Sequence, residues 1–460
     1  MTSLRHCATL RPVACLLAVC LGLMAPLPEA RAQLQLPALG DAASDDLSLG
    51  SERRLGEQIM RDIRRDPDYL DDPVLLEYLN SIWQPLVASA RKRGDIDPAL
   101  EGQFALEAFL VRDRSVNAFA LPGGFVGIHL GLIAMTASAE ELASVMAHEL
   151  THVTQRHIAR SIGNAQRSSL VSLGALILGV LAASRANNPD VAQAAIVGGQ
   201  AASMQGQLNF SRDMEREADR IGFGVLVSAG FDGAGMATMF EKLDQANRHN
   251  DAGAFPYLRS HPLTVDRMSE ARSRTLLTPV TRPASPVHAL MQARSRVLMD
   301  STVDWQRRQG SAPSLTAAAP AMDQLSASYS RALAASLLRE PDRARLALAD
   351  ARRWLSSGFS DRTRAEQVLD LLDVEIRLRA GDPRGAIEAL DRLPDRPGRR
   401  AVILLRSQAT QDAFRTDPGT FRPGLQRTVE ELQAWASLHP NDAEVWAALG
   451  ASAEALGLKL

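Results

Sequence analysis

The residues His148-Glu149-Leu150-Thr151-His152 lie in a stretch where Leu142, Val145, Met146, Leu150 and Val153 surround the motif with apolar side chains. Upstream, Ser138-Ala139-Glu140-Glu141 is a capping-box signature, so the pattern predicts a helix from Ser138 to about Ile162. A spacing of four places both imidazoles on one face of that helix. Buried His and Glu need partners, and a metal ion held between two imidazoles supplies one. Glu149 is then placed to take a proton from a water activated at the metal, which attacks a peptide carbonyl. The bland alternative is a surface helix with scattered polar residues. The apolar flanks argue against it, and with 9 His in 460 residues the pattern arises by chance on the order of once in a hundred chains.

The cysteines narrow the metal chemistry. All three, Cys7, Cys15 and Cys20, fall in the first 20 residues, within a segment that reads as a secretory signal peptide. Arg5 and Arg11 precede an apolar run from Pro12 to Ala25, and Ala30-Arg31-Ala32 offers the exit before Gln33. The run is too short for a comfortable membrane span. Residues 1–32 are therefore expected to be removed on export, leaving a chain without cysteine. That excludes a disulfide scaffold, thiol catalysis and thiolate ligands, so any metal is held by His and carboxylates. The net charge of -2 also gives no reason to invoke nucleic acid.

A catalytic zinc usually takes three protein ligands and leaves one position open. His157 follows His152 by five residues, on a different face of a continuous helix, and reads as a surface residue. The metzincin extension is excluded, because Gln155 and Ile158 stand where it needs glycine and histidine. A better source of the third ligand is Ser211-Arg212-Asp213-Met214-Glu215-Arg216-Glu217-Ala218-Asp219. Glu215 and Asp219 share a helix face, so Glu215 can bind the metal while Asp219 accepts the second N–H of a ligand imidazole. A solvated helix rich in salt bridges remains open at this point.

Elsewhere, helices are expected over 46–65 and 72–91, and a strand from Phe104 to Val111. Asn117 to Leu121 reads as extended up to the turn Pro122-Gly123-Gly124, and Phe125 to Leu132 as strand passing into helix. Two apolar stretches, 169–183 and 190–203, flank Asn187-Asn188-Pro189 and suggest a helical hairpin that packs on the core, covers the site as a lid, or touches the membrane surface. Further helices are expected over 211–228 and 233–248. Prolines 279, 283 and 286 mark one linker and Gly310 to Pro320 another. Beyond 321, paired helices flank Glu340-Pro341 and Gly381-Asp382-Pro383, breaks about 41 residues apart, and Trp446-Ala447-Ala448-Leu449-Gly450 matches the opening of a tetratricopeptide repeat. A plain helical bundle is the alternative. The last repeat reads as a first helix without its partner.

Taken together, His148-Glu149-x-x-His152, Ser211-Arg212-x-x-Glu215-x-x-Ala218-Asp219 and Ser260-His261-Pro262 with Arg267 resemble the zinc metallopeptidase family that includes HtpX and the CAAX prenyl endopeptidases. The resemblance covers nearly all of residues 45–460 and is looser in the repeat half. It implies one Zn2+ per chain on His148, His152 and Glu215, with Glu149 as general base and Asp219 as the partner of a ligand imidazole. It implies that Asn117-Ala118 lies on an edge strand where substrate backbone pairs. His261 matches a histidine that can occupy the open zinc position and hold the enzyme inactive; from the residues alone it reads as a loop residue. Arg267 either stabilises the oxyanion or is ion-paired.

The expected architecture is mainly α. A signal peptide (1–32) precedes a gluzincin-like metallopeptidase domain with a small β-sheet (33–275), a linker with a helix (276–320) and a tetratricopeptide-like helical domain (321–460). The resemblance implies a periplasmic protease acting on misfolded or stalled outer-membrane β-barrel proteins, its repeats docking to substrate or to the barrel-assembly machinery. The repeat half has no cysteine for a disulfide. Two rivals stand beside this reading: a chaperone or assembly factor with a normally shut zinc site, and a general scavenging peptidase whose repeats only stabilise the fold.

Overall fold

Short, nearly continuous apolar segments form a small sheet, and longer segments of helical spacing wrap it. The structure, a computed structural model, describes residues 47–163, 212–248, 256–275 and 285–458, apart from positions 314, 317, 356–357 and 395–398. The expected signal peptide, the apolar segment 169–203, Ser211 and the first two linker prolines lie outside the described residues.

Helix α1 (Leu49–Ile63) is capped by Ser48, whose hydroxyl accepts the Ser51 N–H. Strand β1 (Tyr69–Leu70) leads to α2 (Pro73–Arg93), with Asp72 as its cap and Pro73 in its first turn. After the short α3 (Pro98–Glu101) come β2 (Glu107–Val111), β3 (Ala118–Leu121) and β4 (Phe125–His129). The sheet order is β1-β2-β4-β3; β2 and β4 run parallel and the outer pairs antiparallel. Ala108, Leu110, Ala118, Val126 and Ile128 face the main core with α2, while Phe109, Val111, Leu121 and Phe125 pack on Ile59, Met60 and Ile63 of α1. Covering both faces leaves β3 as the edge nearest the catalytic motif.

Helix α4 (Leu130–Met135) follows directly, then α5 (Ala139–Thr154), where Ser138 accepts the Glu141 N–H as its cap residue. The helix expected to run to Ile162 instead stops at Thr154 and restarts as α6 (His157–Gly163). The break is at Arg156, a non-glycine residue with φ of 52°, a strained conformation that persists only when its surroundings hold it. Here Arg156 donates to the buried Glu52 at 3.1 Å and to the Leu47 carbonyl at 2.5 Å.

Helix α7 (Arg212–Ser228) crosses α5 backbone to backbone at Gly222. A Cβ there would sit 3.1 Å from the Ala147 carbonyl oxygen and 3.2 Å from the His148 nitrogen. Helices α8 (Ala234–Arg248), α9 (Pro256–Ser260) and α10 (Val265–Thr275) complete this half. Then come α11 (Pro286–Leu298), α12 (Val303–Gly310), α13 (Ala321–Leu337), α14 (Pro341–Trp354), α15 (Arg362–Arg379) and α16 (Pro383–Asp391). Helices α17 (Arg400–Thr416), α18 (Pro418–Leu438) and α19 (Ala443–Leu456) end the described chain. In α19 Leu449 is buried, but Trp446 is 47% exposed and donates its indole N–H to the Pro440 carbonyl. Among the described residues no helix is long and apolar enough to cross a membrane.

The stretch read as a linker with a helix contributes α11, whose Val287, Leu290, Met291 and Val297 enter the main core. At its centre Arg294 is 1% exposed. It forms paired bonds to Asp72 at 2.7 and 2.6 Å and to Glu375 at 2.6 and 3.2 Å, and a bond to the Tyr329 hydroxyl at 3.0 Å. One side chain thus joins the start of α2, α11, α13 and α15. Arg400 bonds to Asp71 and Asp442 alongside. Replacing Arg294 by Met strands two buried carboxylates, so we expect urea unfolding to show a loss of about 3–5 kcal/mol; an unchanged midpoint would refute this role.

Candidate active site

Helix α5 presents His148, Glu149 and His152 from one buried face, and the close crossing at Gly222 brings Glu215 and Asp219 of α7 over them. His261 enters from just beyond α9 and Arg267 from α10. His148, His152, Glu215 and His261 each offer a ligand atom, and these atoms lie within 4.8 Å of one another. His148 Nε2 is 3.0 Å from His152 Nε2 and 3.4 Å from His261 Nδ1. Glu215 Oε1 is 3.4 Å from His152 Nε2 and 3.0 Å from His261 Nδ1. Ligands about 2.0–2.1 Å from one tetrahedral ion stand roughly 3.3 Å apart, so this donor set fits a single small divalent cation.

The charge balance supports the same fit. Glu149, Glu215 and Asp219 are buried, with Arg267 as the guanidinium that answers them. Both Glu149 oxygens are buried without a hydrogen-bond partner among the described residues, a costly arrangement unless a cation or water stands against them. With the imidazoles neutral, as metal ligation requires, three carboxylates against one guanidinium leave two negative charges, which a divalent cation neutralises. Burial raises the carboxylates' pKa and opposes the charge on His148, but their pairing prevails. Asp219 and Glu215 raise His148 to about 10, and His261 and His148 hold Glu215 well below the usual carboxylate range. Arg267 and His148 likewise hold Asp219 low, while burial and then the neighbouring charge of His148 push His152 well below the usual imidazole range.

Each histidine of the motif is held from behind. His148 Nδ1 lies 3.0 Å from Asp219 Oδ1. Arg267 donates to both Asp219 oxygens at 2.6 and 2.8 Å, to the Pro262 carbonyl at 2.7 Å, and lies 2.9 Å from Glu215 Oε2. Arg267 is thus ion-paired with both Asp219 and Glu215. His152 Nδ1 lies 2.8 Å from His157 Nδ1, and His157 Nε2 lies 3.0 Å from Glu217 Oε2. His157 was expected on the surface but is fully buried. On a continuous helix it would point about 140° away from His152; the left-handed Arg156 turns it back. Burial lowers the His157 pKa to about 4. Tyr257, unmarked by any motif, packs its ring 4.7 Å from that of His261.

Asn117 and Ala118 do lie at the sheet edge, with different backbone roles. The Asn117 carbonyl accepts the His129 N–H at 3.1 Å, so by strand alternation residues 117, 119 and 121 face β4. The groups that point outward belong to Ala118 and Ala120, and among the described residues they meet no backbone partner.

Comparison with known proteins agrees with this geometry. Residues 96–275 match the family model described as Peptidase family M48. A Vibrio cholerae protein is 37% identical over 300 residues, covering 63% of this chain and 59% of that protein. The beta-barrel assembly-enhancing protease of Escherichia coli K12 is 35% identical over 317 residues, covering 68% of this chain and 62% of that protein. A mitochondrial metalloendopeptidase of Schizosaccharomyces pombe is 27% identical over 242 residues, 49% of this chain and 61% of its own. The match thus spans about three fifths of the length of these curated relatives.

The donor set makes a testable demand. Adding zinc to metal-free protein should raise Tm, by the equivalent of about 2.7 kcal/mol at a hundredfold excess over the dissociation constant. Glu149→Gln should keep that rise and His152→Ala should lose most of it. A wild-type Tm indifferent to zinc would remove the site.

Proposed function

We propose that this chain, whose residues 96–275 form a peptidase domain of family M48, is a zinc-dependent metalloendopeptidase of the periplasm. It degrades misfolded or misassembled outer-membrane β-barrel proteins, and residues 321–460 dock to substrate or to the barrel-assembly machinery. The domain limits are those proposed from sequence: 33–275 for the peptidase, 276–320 for the connection and 321–460 for the repeats. The observation that carries the reading is the buried cluster of His148, His152, Glu215 and His261 beside the buried carboxylate of Glu149, which accepts no hydrogen bond among the described residues and faces His261 Nε2 at 3.5 Å. The relatives' names support the substrate class, which comes to this chain as part of the proposal.

A substrate strand pairs with the outward groups of Ala118 and Ala120, a mode that reads backbone and therefore accepts many sequences. Helix α5 lies beneath that edge, so the pairing lays a peptide bond over Glu149. When bound, zinc supplies Lewis acidity to the scissile carbonyl and acidifies the attacking water. Glu149 accepts the water's proton and returns it to the leaving amine. Asp219 fixes His148 so that its Nε2 faces the metal, and Arg267 keeps Asp219 and Glu215 ionised. With zinc bound, His261 would join His148, His152 and Glu215 in holding it, so turnover would require His261 to withdraw.

That placement of His261 also favours the second reading, a chaperone or assembly factor whose zinc site is normally shut. Cleavage of an unfolded β-barrel protein by zinc-loaded protein, residues 33–460, separates the two. We expect Glu149→Gln to lower cleavage about 10²- to 10⁴-fold and His261→Ala to raise it several-fold. Absence of cleavage by every form, despite bound zinc, would leave the chaperone reading standing. The edge has its own test: Ala120→Pro removes one outward N–H, and proline is tolerated where a strand's N–H faces solvent. It should raise KM for an extended substrate about tenfold, an effect of roughly 1.4 kcal/mol, with zinc content and Tm unchanged. An unchanged KM would rule out pairing at this edge.

A further inference from the structure

We infer that His157 and Glu217 form a positioning relay for the metal site, holding His152 in the tautomer and orientation that a ligand needs. The inference rests on reading the cluster as a metal centre and assigns a role to two residues outside it.

The geometry fixes the protons along the relay. His152 turns Nε2 toward the cluster, 3.0 Å from His148 Nε2 and 3.4 Å from Glu215 Oε1. To bind a cation this nitrogen must present its lone pair, which places the ring proton on Nδ1. His152 Nδ1–H then donates to His157 Nδ1 at 2.8 Å, which accepts. The His157 proton is accordingly on Nε2 and is donated to Glu217 Oε2 at 3.0 Å. Arg160 donates to the same oxygen at 2.8 Å and keeps the carboxylate in place. The chain runs from a buried ligand, through a fully buried imidazole, to a carboxylate with 28% of its side chain exposed.

The arrangement parallels the other histidine of the motif. His148 donates directly to Asp219, which Arg267 anchors. His152 reaches its carboxylate through one more ring, anchored by Arg160. Both carboxylates come from α7, two residues apart, so one helix orients both imidazoles of α5. The strained Arg156 is the local condition for the second relay, since it ends α5 and returns His157 beneath His152. A ligand imidazole that loses its hydrogen-bond partner typically costs roughly 10- to 100-fold in metal affinity.

The test measures zinc dissociation constants of the full chain by chelator competition, with the visible spectrum of the cobalt-substituted protein as a second readout. His157→Phe keeps ring volume but can neither accept from His152 nor donate to Glu217. It should weaken zinc roughly 10- to 100-fold and alter the cobalt spectrum. His157→Asn, whose amide can accept from His152, should recover most of the affinity. Glu217→Ala should weaken zinc in the wild-type background and add nothing beside His157→Phe, because it acts through His157. This variant alters a partly exposed side chain, so it carries the test even if His157→Phe does not fold. Wild-type affinity in His157→Phe, or a Glu217→Ala effect of equal size in both backgrounds, would overturn the relay. Failure of the wild-type chain itself to bind zinc would instead overturn the metal site, and the relay with it.

Discussion

Concentrated negative charge in a water-excluded interior is the constraint around which this half of the molecule is arranged. Glu149, Glu215 and Asp219 are buried together, a costly arrangement unless each meets a cation or a donor. Arg267 answers two of them and is itself buried at 4% exposure, so α10 must dock where it does. The remaining charge is the one a divalent cation satisfies. Gly222 matters for the same reason. Only a close crossing of α7 over α5 brings Glu215 and Asp219 within reach of the two imidazoles, and a side chain there would force the helices apart.

The same logic recurs where the two halves of the chain meet. Arg294 is buried between Asp72, Glu375 and Tyr329, and its bonds cross from the start of α2 to α15. A buried ion pair is weak evidence for net stability, since its desolvation offsets most of its attraction. Its geometric demand is strong: planar paired bonds to two carboxylates allow one orientation of each helix. Arg400 and Arg399 repeat the pattern at the start of α17, reaching Asp71 and Glu77 of the first half. The helical half is thereby seated on the α2 side of the sheet.

What could be read in the sequence is what local pattern encodes. Ser138 and Glu141 announce the start of α5, and a spacing of four puts His148 and His152 on one face whatever the remainder does. Glu215 and Asp219 were legible for the same reason, while His261, with no partner nearby in sequence, required the family resemblance. His157 was misread because its position depends on a left-handed residue that is not glycine, and nothing local marks Arg156 as such. A helix was expected within the 276–320 linker, but the burial of α11 in the main core was not legible. The prolines around it look like linker punctuation, yet Val287, Leu290, Met291 and Val297 keep helical spacing. Arg294, at a core position, breaks the apolar pattern because its carboxylate partners are more than 80 residues away in sequence on one side and more than 200 on the other.

The edge strand and the His261 segment meet at one carbonyl, and this bears on how a shut site opens on the proposed reading. Val116 lies in register with the outward groups of Ala118 and Ala120, and its carbonyl accepts the Tyr257 N–H at 3.4 Å. Tyr257 in turn packs on His261, four residues on, whose own N–H bonds back to the Tyr257 carbonyl at 2.9 Å. A substrate strand continuing past Ala118 therefore arrives at an acceptor already held by the segment that carries His261. Pairing along the edge and the present seat of Tyr257 compete for the same space. The peptide that gains backbone bonds at β3 thus gains them partly at the expense of the contact that keeps the imidazole in the cluster. Coupling of this kind needs no distant signal, because on the proposed reading the substrate strand competes for the Val116 carbonyl with Tyr257, the residue that packs on the blocking His261.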